Sequence, residues 1–159
     1  MTSTCPAILF VCLGNICRSP LAESAFREAA ARAGLEVTVD SAGTGDWHIG
    51  HPPDPRAQAV ALRHGIDMSG YKARQVARAD FDRFDHVFAL DAANLAALRG
   101  LAPANGRARV SLLLDMVPGR EGQAVADPYF GDEAGFEVTW AEVSAAAEAL
   151  VARLRGERG

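Results

Sequence analysis

Apolar residues along the chain follow two periodicities, one typical of strands and one typical of helices. Four short segments, rich in apolar residues or alternating between apolar and polar ones, predict β-strands at 7–13, 36–40, 86–90 and 109–114. Between these segments, and after the last one, apolar residues recur three and four positions apart, which predicts helices. The 7–13 segment is apolar throughout, so we expect its strand to be buried on both faces.

Capping residues and glycines set the predicted helix boundaries. Ser19 precedes Pro20 and is expected to cap a first helix, which Gly34 ends. Further helices are predicted over 54–65 and 91–99, opened by Asp54 and Asp91, with a short helical turn over 78–84. A last helix carries an apolar face formed by Phe136, Trp140, Val143, Ala147, Leu150 and Leu154. Residues 116–135 are polar with several Gly and Pro, so they predict a long loop.

Strands and helices therefore alternate in the order typical of an α/β protein. Right-handed crossovers between successive strands produce a parallel sheet that helices cover on both faces. We predict a single domain over residues 1–159, with three layers and a four-stranded parallel sheet of the flavodoxin-like, doubly wound class. Ligands bind such folds at the carboxyl ends of the strands. The loop over residues 12–19, directly after the first strand, is thus the predicted binding site.

Composition and charge narrow the class of partner. The chain has 159 residues, of which 49% are hydrophobic and 23% are charged, as in an ordinary globular domain. The formal net charge of −4 argues against a nucleic-acid partner, because such a partner needs a clustered basic excess. The apolar run over 7–13 is too short to cross a bilayer, and no Arg or Lys precedes Arg18. We therefore expect neither a membrane partner nor a signal peptide.

The cysteines all lie near the start of the chain, at Cys5, Cys12 and Cys17. An odd number crowded at one end is a poor disulfide framework, and cysteines without a matching pair of histidines do not form a zinc site. We therefore expect a cytoplasmic protein in a reducing compartment, with no metal and no other cofactor.

The loop after the first strand combines a cysteine with a cation at a helix N-terminus. Five residues separate Cys12 from Arg18, and a serine follows directly. A loop that leads into a helix N-terminus directs successive backbone N–H groups inward and forms an anion-binding nest. Gly14 allows backbone angles that other residues avoid, and the planar guanidinium of Arg18 can hold two phosphate oxygens. The loop is therefore predicted to bind an oxyanion.

The same surroundings activate the thiol of Cys12. A helix N-terminus and a nearby cation favour the thiolate form of a cysteine, and the thiolate is the nucleophile. Cys12 is thus predicted to attack a phosphorus atom held in the nest. The alternative is a buried strand cysteine beside a surface arginine. That alternative leaves Gly14, the helix start and the spacing to Arg18 as coincidences.

The stretch 11–20, VCLGNICRSP, resembles the phosphate loop of the low-molecular-weight protein tyrosine phosphatases. Further blocks resemble that family in the same order and at the same spacing, at 40–44, 53–56, 73–75 and 127–129. The resemblance covers essentially the whole chain. It implies the predicted fold and a metal-independent protein tyrosine phosphatase that hydrolyses phosphotyrosine monoesters through a phosphocysteine on Cys12.

The resemblance also implies the roles of the reacting groups. Arg18 binds the phosphate, and Asp127 acts as general acid for the departing phenolate and then as general base for water. A phenol has a pKa of ~10, so it leaves poorly unless it is protonated. From the residues alone, an Asp before a Pro is more typical of a turn than of a proton donor. The acid of the family lies in this same Asp-Pro-Tyr setting, which favours the donor.

Other residues are predicted by resemblance to line or support the pocket. Trp47 and Tyr129 resemble the aromatic walls around a phosphotyrosine ring. The remaining substrate-binding positions are Leu13, Gly14, Asn15, Ile16, Cys17 and Ser19, whose hydroxyl is expected to stabilise the thiolate. Asn15 and Ser41 are expected to hold the loop by hydrogen bonds, supported by Tyr71, where many family members carry a His that can become charged. From the residues alone, Trp47 and Tyr129 could equally be loop aromatics, and Leu13 and Ile16 could be core residues. Asn15, Ser19 and Ser41 could equally be turn or cap residues.

Thiol redox chemistry is a second possible use of this loop. Cys17 is predicted to serve as a resolving thiol that traps an oxidised Cys12 in a reversible disulfide, or else to pack at the start of the helix. Arsenate reductases share the loop and the fold, but their disulfide relay needs further cysteines downstream. No cysteine follows Cys17, which counts against that class.

The expected partners follow from the phosphatase interpretation. They are phosphotyrosine proteins or peptides, with inorganic phosphate, sulfate or vanadate as oxyanions that fit the same loop. Ile16 and Tyr129 favour phosphotyrosine, since relatives acting on phosphoarginine carry a smaller, polar residue at the position of Ile16. A phosphoarginine phosphatase is the alternative within the enzyme class, and a non-catalytic binding module is disfavoured because Cys12 and Asp127 are both present. We expect a monomer or a weak homodimer.

Overall fold

Strands and helices alternate along the chain as the hydrophobic pattern predicts. The computed structural model describes residues 5–129 and 131–158, with side chains through residue 156. The elements are β1 (Ala7–Cys12), α1 (Arg18–Arg32), β2 (Thr38–Gly43), α2 (Pro55–Arg63), α3 (Asp80–Arg83), β3 (His86–Ala89), α4 (Ala92–Leu101), β4 (Arg109–Leu112) and α5 (Glu133–Arg158). A 3-10 helix over Leu113–Met116 lies between β4 and α5.

The strands form a parallel sheet in the order β2-β1-β3-β4. β1 pairs with β2 on one side and with β3 on the other, so that Cys12 lies opposite Gly43 and Val11 lies opposite Ala89. The chain therefore winds one way from β1 to β2 and the other way towards β3 and β4. The carboxyl end of β1 lies where the strand order reverses, which is the usual ligand position in such sheets. The predicted flavodoxin-like, doubly wound α/β fold is confirmed.

Side chains of β1 alternate between two apolar clusters, one on each face of the sheet. Ile8, Phe10 and Cys12 belong to a cluster that contains residues of α1, α2 and α5. Leu9 and Val11 belong to a second cluster with residues of α3 and α4. The prediction of a strand buried on both faces is confirmed, because every residue of β1 is buried. The alternation also places the sulfur of Cys12 on the face covered by α1.

The predicted position of the second strand is wrong. β2 spans Thr38–Gly43 rather than 36–40, because its last three residues pair with the buried end of β1. Ser41, Ala42 and Gly43 are buried in that pairing although their side chains are small or polar. Their lack of a large apolar side chain is the reason that the hydrophobic pattern stops too early.

The ends of several other elements also differ from the prediction, among them β1, β4 and α5. β1 ends at Cys12, because Leu13 turns outward and is half exposed. β4 ends at Leu112, and the next residues form the 3-10 helix. α5 begins at Glu133, before the first apolar residue of its buried face, Phe136.

The predicted cap of α1 is wrong, whereas those of α2 and α4 are confirmed. α1 begins at Arg18 with Cys17 as its N-cap residue, so Ser19 lies inside the first turn. The Asp54 carboxylate accepts a hydrogen bond from a backbone N–H of α2, at 2.8 Å. The Asp91 carboxylate does the same for α4, at 2.7 Å. A side-chain oxygen in this position satisfies one of the otherwise unpaired N–H groups of the first turn.

The long C-terminal helix α5 covers the sheet beside α1. Its predicted apolar face is buried, at Phe136, Trp140, Val143, Ala147, Leu150 and Leu154. Across the described ranges, no helix is both long enough and apolar enough to cross a membrane.

Candidate active site

A cleft of about 250 Å³ opens at the carboxyl end of β1. It is lined by Cys12, Leu13, Gly14, Ile16, Cys17, Arg18, Trp47, His48, Asp127 and Tyr129. The structure therefore brings nine of the predicted site residues to one surface. Asn15, Ser19 and Ser41 lie behind the loop, and Tyr71 lies farther away. The half-buried His48 is not among the predicted residues, because no feature of its sequence surroundings marks it.

The buried sulfur of Cys12 receives polar contacts from the loop and from α1. The backbone N–H of Asn15 donates a hydrogen bond to the sulfur at 3.3 Å. The hydroxyl oxygen of Ser19 lies 3.0 Å from the sulfur. Hydrogen-bond donors and a helix N-terminus both favour a negative charge on sulfur. These contacts match the position predicted for the Ser19 hydroxyl.

Asn15 holds the loop in an unusual backbone conformation. Its φ of 59° lies in the left-handed region, which Asn tolerates better than most residues. The side-chain amide nitrogen donates to the hydroxyls of Ser19 at 2.8 Å and of Ser41 at 3.0 Å. The amide oxygen accepts from the backbone N–H of Arg74 at 2.9 Å. The side chain thus links the loop to α1, to β2 and to the segment after α2.

A chain of polar side chains extends this network away from the cleft. Ser41 donates to the buried carboxylate of Glu23 at 2.6 Å, and Arg27 donates to the other oxygen of Glu23 at 2.7 Å. Burial raises the pKa of Glu23, and the hydrogen bond from Ser41 and the charge of Arg27 oppose that rise. Arg27 also donates to the Tyr71 hydroxyl and lies over the Tyr71 ring. Tyr71 is therefore connected to Asn15 through three intervening side chains.

Arg18 is buried, and its direction is set by an acidic residue and a carbonyl. The nitrogen Nη1 donates to Asp91 at 2.9 Å and to the carbonyl of Val125 at 3.2 Å. The nitrogen Nη2 lies 3.6 Å from a carboxylate oxygen of Asp127. The sequence marks Asp91 only as a helix cap. Its position after β3 brings it to the same edge of the sheet as Arg18.

Asp127 lies at the mouth of the cleft with 48% of its side chain exposed. One carboxylate oxygen accepts a hydrogen bond from the backbone N–H of Tyr129 at 3.1 Å, which is a turn contact. The other oxygen is the one that faces Arg18. Asp127 thus makes the turn contact expected of an Asp before a Pro and also lines the cleft that contains Cys12.

Large apolar side chains surround the mouth of the cleft. Trp47 is 65% exposed, Leu13 is 49% exposed and Tyr129 is 39% exposed. Exposed apolar groups gathered at a concave surface are typical of a binding site. Together they form an aromatic and aliphatic rim around a cleft that Cys12 and Arg18 also line.

Two glycines are needed for the close packing around the loop. A Cβ at Gly43 would lie 2.7 Å from the carbonyl oxygen of Leu13 and 3.2 Å from the backbone nitrogen of Asn15. A Cβ at Gly14 would lie 3.0 Å from the ring of His48. The absence of a side chain therefore lets β2 and the His48 ring approach the loop backbone.

Burial keeps the second cysteine of the loop protonated. Burial raises the pKa of the Cys17 thiol, and the charges of Asp54, Cys12 and Asp127 raise it further. Of the two loop cysteines, Cys17 is therefore the one whose surroundings disfavour the thiolate.

Asp54 joins the start of α2 to the loop between β1 and α1. Its backbone N–H donates to the carbonyl of Ile16 at 2.8 Å. Its carboxylate accepts two hydrogen bonds from the guanidinium of Arg56, at 3.1 and 3.0 Å. These side-chain hydrogen bonds from Arg56 are the largest cause that lowers the pKa of Asp54 below its ordinary value.

Replacing Asp54 with Ala is expected to lower the free energy of unfolding by about 1 kcal/mol, because α2 loses its cap. Asp54→Asn is the matched variant that keeps a capping oxygen and loses the charge. Since the folded-state pKa is lowered, the carboxylate stabilises the fold above about pH 4, and this contribution is lost as the pH falls through the folded-state pKa. The difference in melting temperature between wild type and Asp54→Asn should therefore shrink on acidification. A difference that does not change with pH would contradict the assignment.

Comparison with known proteins agrees with the fold and with the cleft. The family model described as low molecular weight phosphotyrosine protein phosphatase matches residues 7–159. The low molecular weight protein-tyrosine-phosphatase YfkJ of Bacillus subtilis is 43% identical over 154 residues, covering 96% of this chain and 97% of the relative. The human low molecular weight phosphotyrosine protein phosphatase is 40% identical over 138 residues, covering 84% of this chain and 86% of the relative.

Solved structures show the same architecture. The crystal structure of a protein tyrosine phosphatase from Entamoeba histolytica with Hepes in the active site superposes with a TM-score of 0.90 at 33% identity, covering 97% of this chain and 99% of the other. The crystal structure of a Drosophila arginine phosphatase superposes with a TM-score of 0.88 at 30% identity, covering 93% of this chain and 97% of the other. The family model, the relatives and the shared architecture agree with the doubly wound sheet and with the cleft at the end of β1. The chain therefore belongs to the low-molecular-weight phosphotyrosine protein phosphatase family.

Proposed function

We propose that this protein hydrolyses phosphotyrosine monoesters through a phosphocysteine intermediate on Cys12. The proposal rests on the contacts of the Cys12 sulfur. The sulfur accepts a hydrogen bond from the Asn15 N–H at 3.3 Å and lies 3.0 Å from the Ser19 hydroxyl oxygen. Arg18 lines the same cleft. A sulfur stabilised as an anion beside a fixed cation is suited to attack an oxyanion ester.

In the first step the phosphate group occupies the loop. Backbone N–H groups and the guanidinium of Arg18 bind its oxygens, and the thiolate of Cys12 attacks phosphorus opposite the ester oxygen. The S–P bond forms as the P–O bond to the phenol breaks. Asp127 gives its proton to the departing phenolate oxygen, which leaves as a neutral phenol. Because Asp91 and the Val125 carbonyl fix Arg18, its guanidinium is oriented before the substrate binds.

In the second step water hydrolyses the phosphocysteine. The Asp127 carboxylate accepts a proton from water as the water oxygen attacks phosphorus, and the P–S bond breaks to return the Cys12 thiolate. The Ser19 hydroxyl stabilises the departing sulfur from 3.0 Å. Inorganic phosphate leaves the loop, and Asp127 holds the proton needed for the next cycle.

The rim of the cleft favours an aromatic phosphate ester. Trp47 and Tyr129 offer ring surfaces at the mouth, and Ile16 lines the cleft below them. An aromatic ring between two aromatic side chains gains both apolar burial and ring contacts. The similarity to an arginine phosphatase at 30% identity makes phosphoarginine the competing substrate class.

Two peptides of one sequence, carrying phosphotyrosine or phosphoarginine at the same position, test the substrate class. We expect kcat/KM to be at least about tenfold higher for phosphotyrosine, which corresponds to about 1.4 kcal/mol of transition-state preference. Replacing Ile16 with Ser should reduce that ratio, because it removes apolar lining. A preference for phosphoarginine would contradict the proposed substrate, and phosphate release from neither peptide would contradict the proposed activity.

A further inference from the structure

The segment that carries Asp127 has no regular secondary structure. Residues 117–129, 131 and 132 form neither helix nor strand. A general acid must be held within hydrogen-bond distance of the oxygen that it protonates. The contacts that fix this segment therefore bear on the rate of proton transfer.

On the upstream side, the segment is fixed by α5 and by the end of β3. The backbone N–H of Ala126 donates to the carboxylate of Glu142 at 2.8 Å, and its carbonyl accepts from the hydroxyl of Thr139 at 2.9 Å. The backbone N–H of Val125 donates to the carbonyl of Leu90 at 2.8 Å. The two residues before Asp127 are thus held on both their donor and acceptor sides.

On the downstream side, the segment is held by the guanidinium of Arg56 at the start of α2. Its two terminal nitrogens donate to separate carbonyls, that of Tyr129 at 2.9 Å and that of Gly131 at 3.1 Å. The guanidinium carbon lies 4.8 Å from the ring centre of the buried Phe136 and 5.7 Å from that of Tyr129. A planar fork can bind two acceptors at once, which a single ammonium group on a flexible stem does less well.

Arg56 is itself oriented from the phosphate loop. Its guanidinium donates to both carboxylate oxygens of Asp54, and the backbone N–H of Asp54 donates to the carbonyl of Ile16 at 2.8 Å. Arg56 therefore connects the loop that contains Cys12 to the segment that contains Asp127. Through this connection, the segment that contains Asp127 is tied to the loop that contains Cys12.

We propose that Arg56 is a positioning residue that holds Asp127 at the leaving oxygen during cleavage of the ester. The inference rests on the proposed function, because the effect of Arg56 on the rate is transmitted through Asp127. Without Arg56, the upstream contacts remain, and the downstream half of the turn loses two hydrogen bonds. The acid then samples more positions, while the phosphate loop keeps its own contacts.

Two aryl phosphates with different leaving groups test this role. Phenyl phosphate releases a weakly acidic phenol and needs the proton, whereas p-nitrophenyl phosphate releases a more acidic phenol and needs it less. We expect Arg56→Ala to lower kcat/KM for phenyl phosphate about tenfold, within the range that general acid catalysis provides. The loss for p-nitrophenyl phosphate should stay below about threefold. A damaged aromatic wall would instead affect both substrates equally, since both contain one aryl ring.

The double variant Arg56→Ala/Asp127→Ala measures the coupling directly. With Asp127 already absent, loss of Arg56 should lower kcat/KM for phenyl phosphate by less than about twofold, because the two effects share one path. Arg56→Lys should fall between wild type and Arg56→Ala. Arg63→Ala is the matched control on the same helix, since Arg63 pairs with Glu137, and it should behave as wild type. The inhibition constant of vanadate reports the phosphate loop and should be the same in all Arg56 variants.

Three results would overturn the inference. One is an equal loss on both aryl phosphates, and another is a tenfold loss that persists in the Asp127→Ala background. The third is weaker vanadate inhibition in Arg56→Lys, which would place the effect in the phosphate loop. Failure of the proposed function has a separate signature, because Asp127→Ala itself would then show no dependence on the leaving group.

Discussion

Replacing Cys12 with Ser is expected to reduce phosphate release below detection, by about 10⁵-fold or more, as losses of nucleophiles in other enzymes indicate. A serine hydroxyl is far less acidic than a cysteine thiol, so it supplies much less of the anionic nucleophile. The contacts from the Asn15 N–H and the Ser19 hydroxyl suit an anion and gain little from a neutral hydroxyl. Turnover of p-nitrophenyl phosphate measures the loss.

Cys5→Ser is the matched control for this change, because Cys5 is exposed and lies outside the cleft. It should turn over p-nitrophenyl phosphate as the wild type does. The Cys12→Ser protein should still bind a phosphotyrosine peptide, since the remaining loop contacts are retained. Turnover by Cys12→Ser within about a hundredfold of wild type would rule out the phosphocysteine step.

Replacing Arg18 with Lys is expected to lower kcat/KM by about 10²–10³-fold, the usual cost of losing a fixed donor to a developing negative charge. The charge is kept, but an ammonium cannot donate to Asp91 and to the Val125 carbonyl while also presenting a fork to the phosphate. Both kcat/KM and the inhibition constant of vanadate should worsen. Inhibition by vanadate separates lost oxyanion binding from a defect in proton transfer.

Arg32→Lys makes the same chemical change on the exposed face of α1, where Arg32 pairs with Glu148. Its kcat/KM should equal that of the wild type. An Arg18→Lys enzyme within about fivefold of wild type would show that a point charge is sufficient, and that the planar fork has no special role.

The sequence predicts the position of the loop between β1 and α1 well, because two strong signals agree there. The apolar run over 7–13 has no competing interpretation as a surface element, and the alternation of strands and helices fixes its carboxyl end as a ligand position. The contact of Ser19 with the Cys12 sulfur cannot be read from the sequence, since a hydroxyl before a proline is an ordinary helix cap. In the structure the helix begins one residue before Ser19, and the hydroxyl points to Cys12.

The contacts that orient the side chains of the candidate active site are not visible in the sequence. Arg18 and Asp91 are 73 residues apart, and Arg56 and Tyr129 are also 73 apart. Each pair meets because the fold brings the first turn of a helix beside a segment that is distant in the sequence. The chain has 20 acidic residues and a carbonyl on every residue, so the local pattern around an arginine cannot identify its partner. The late end of β2 escapes prediction for a related reason, because small residues there are buried by their pairing with β1.

The close approach of Gly43 to the loop backbone has a consequence for how substrate preference can change. A single added methyl group would lie 2.7 Å from the Leu13 carbonyl, so the floor of the cleft has no room for variation from the side of β2. The side chains of Leu13, Trp47 and Tyr129, by contrast, are between 39% and 65% exposed at the mouth of the cleft. Under the proposed function, substrate selectivity can therefore diversify through substitutions at the exposed rim, while the loop backbone beside β2 keeps a constant geometry.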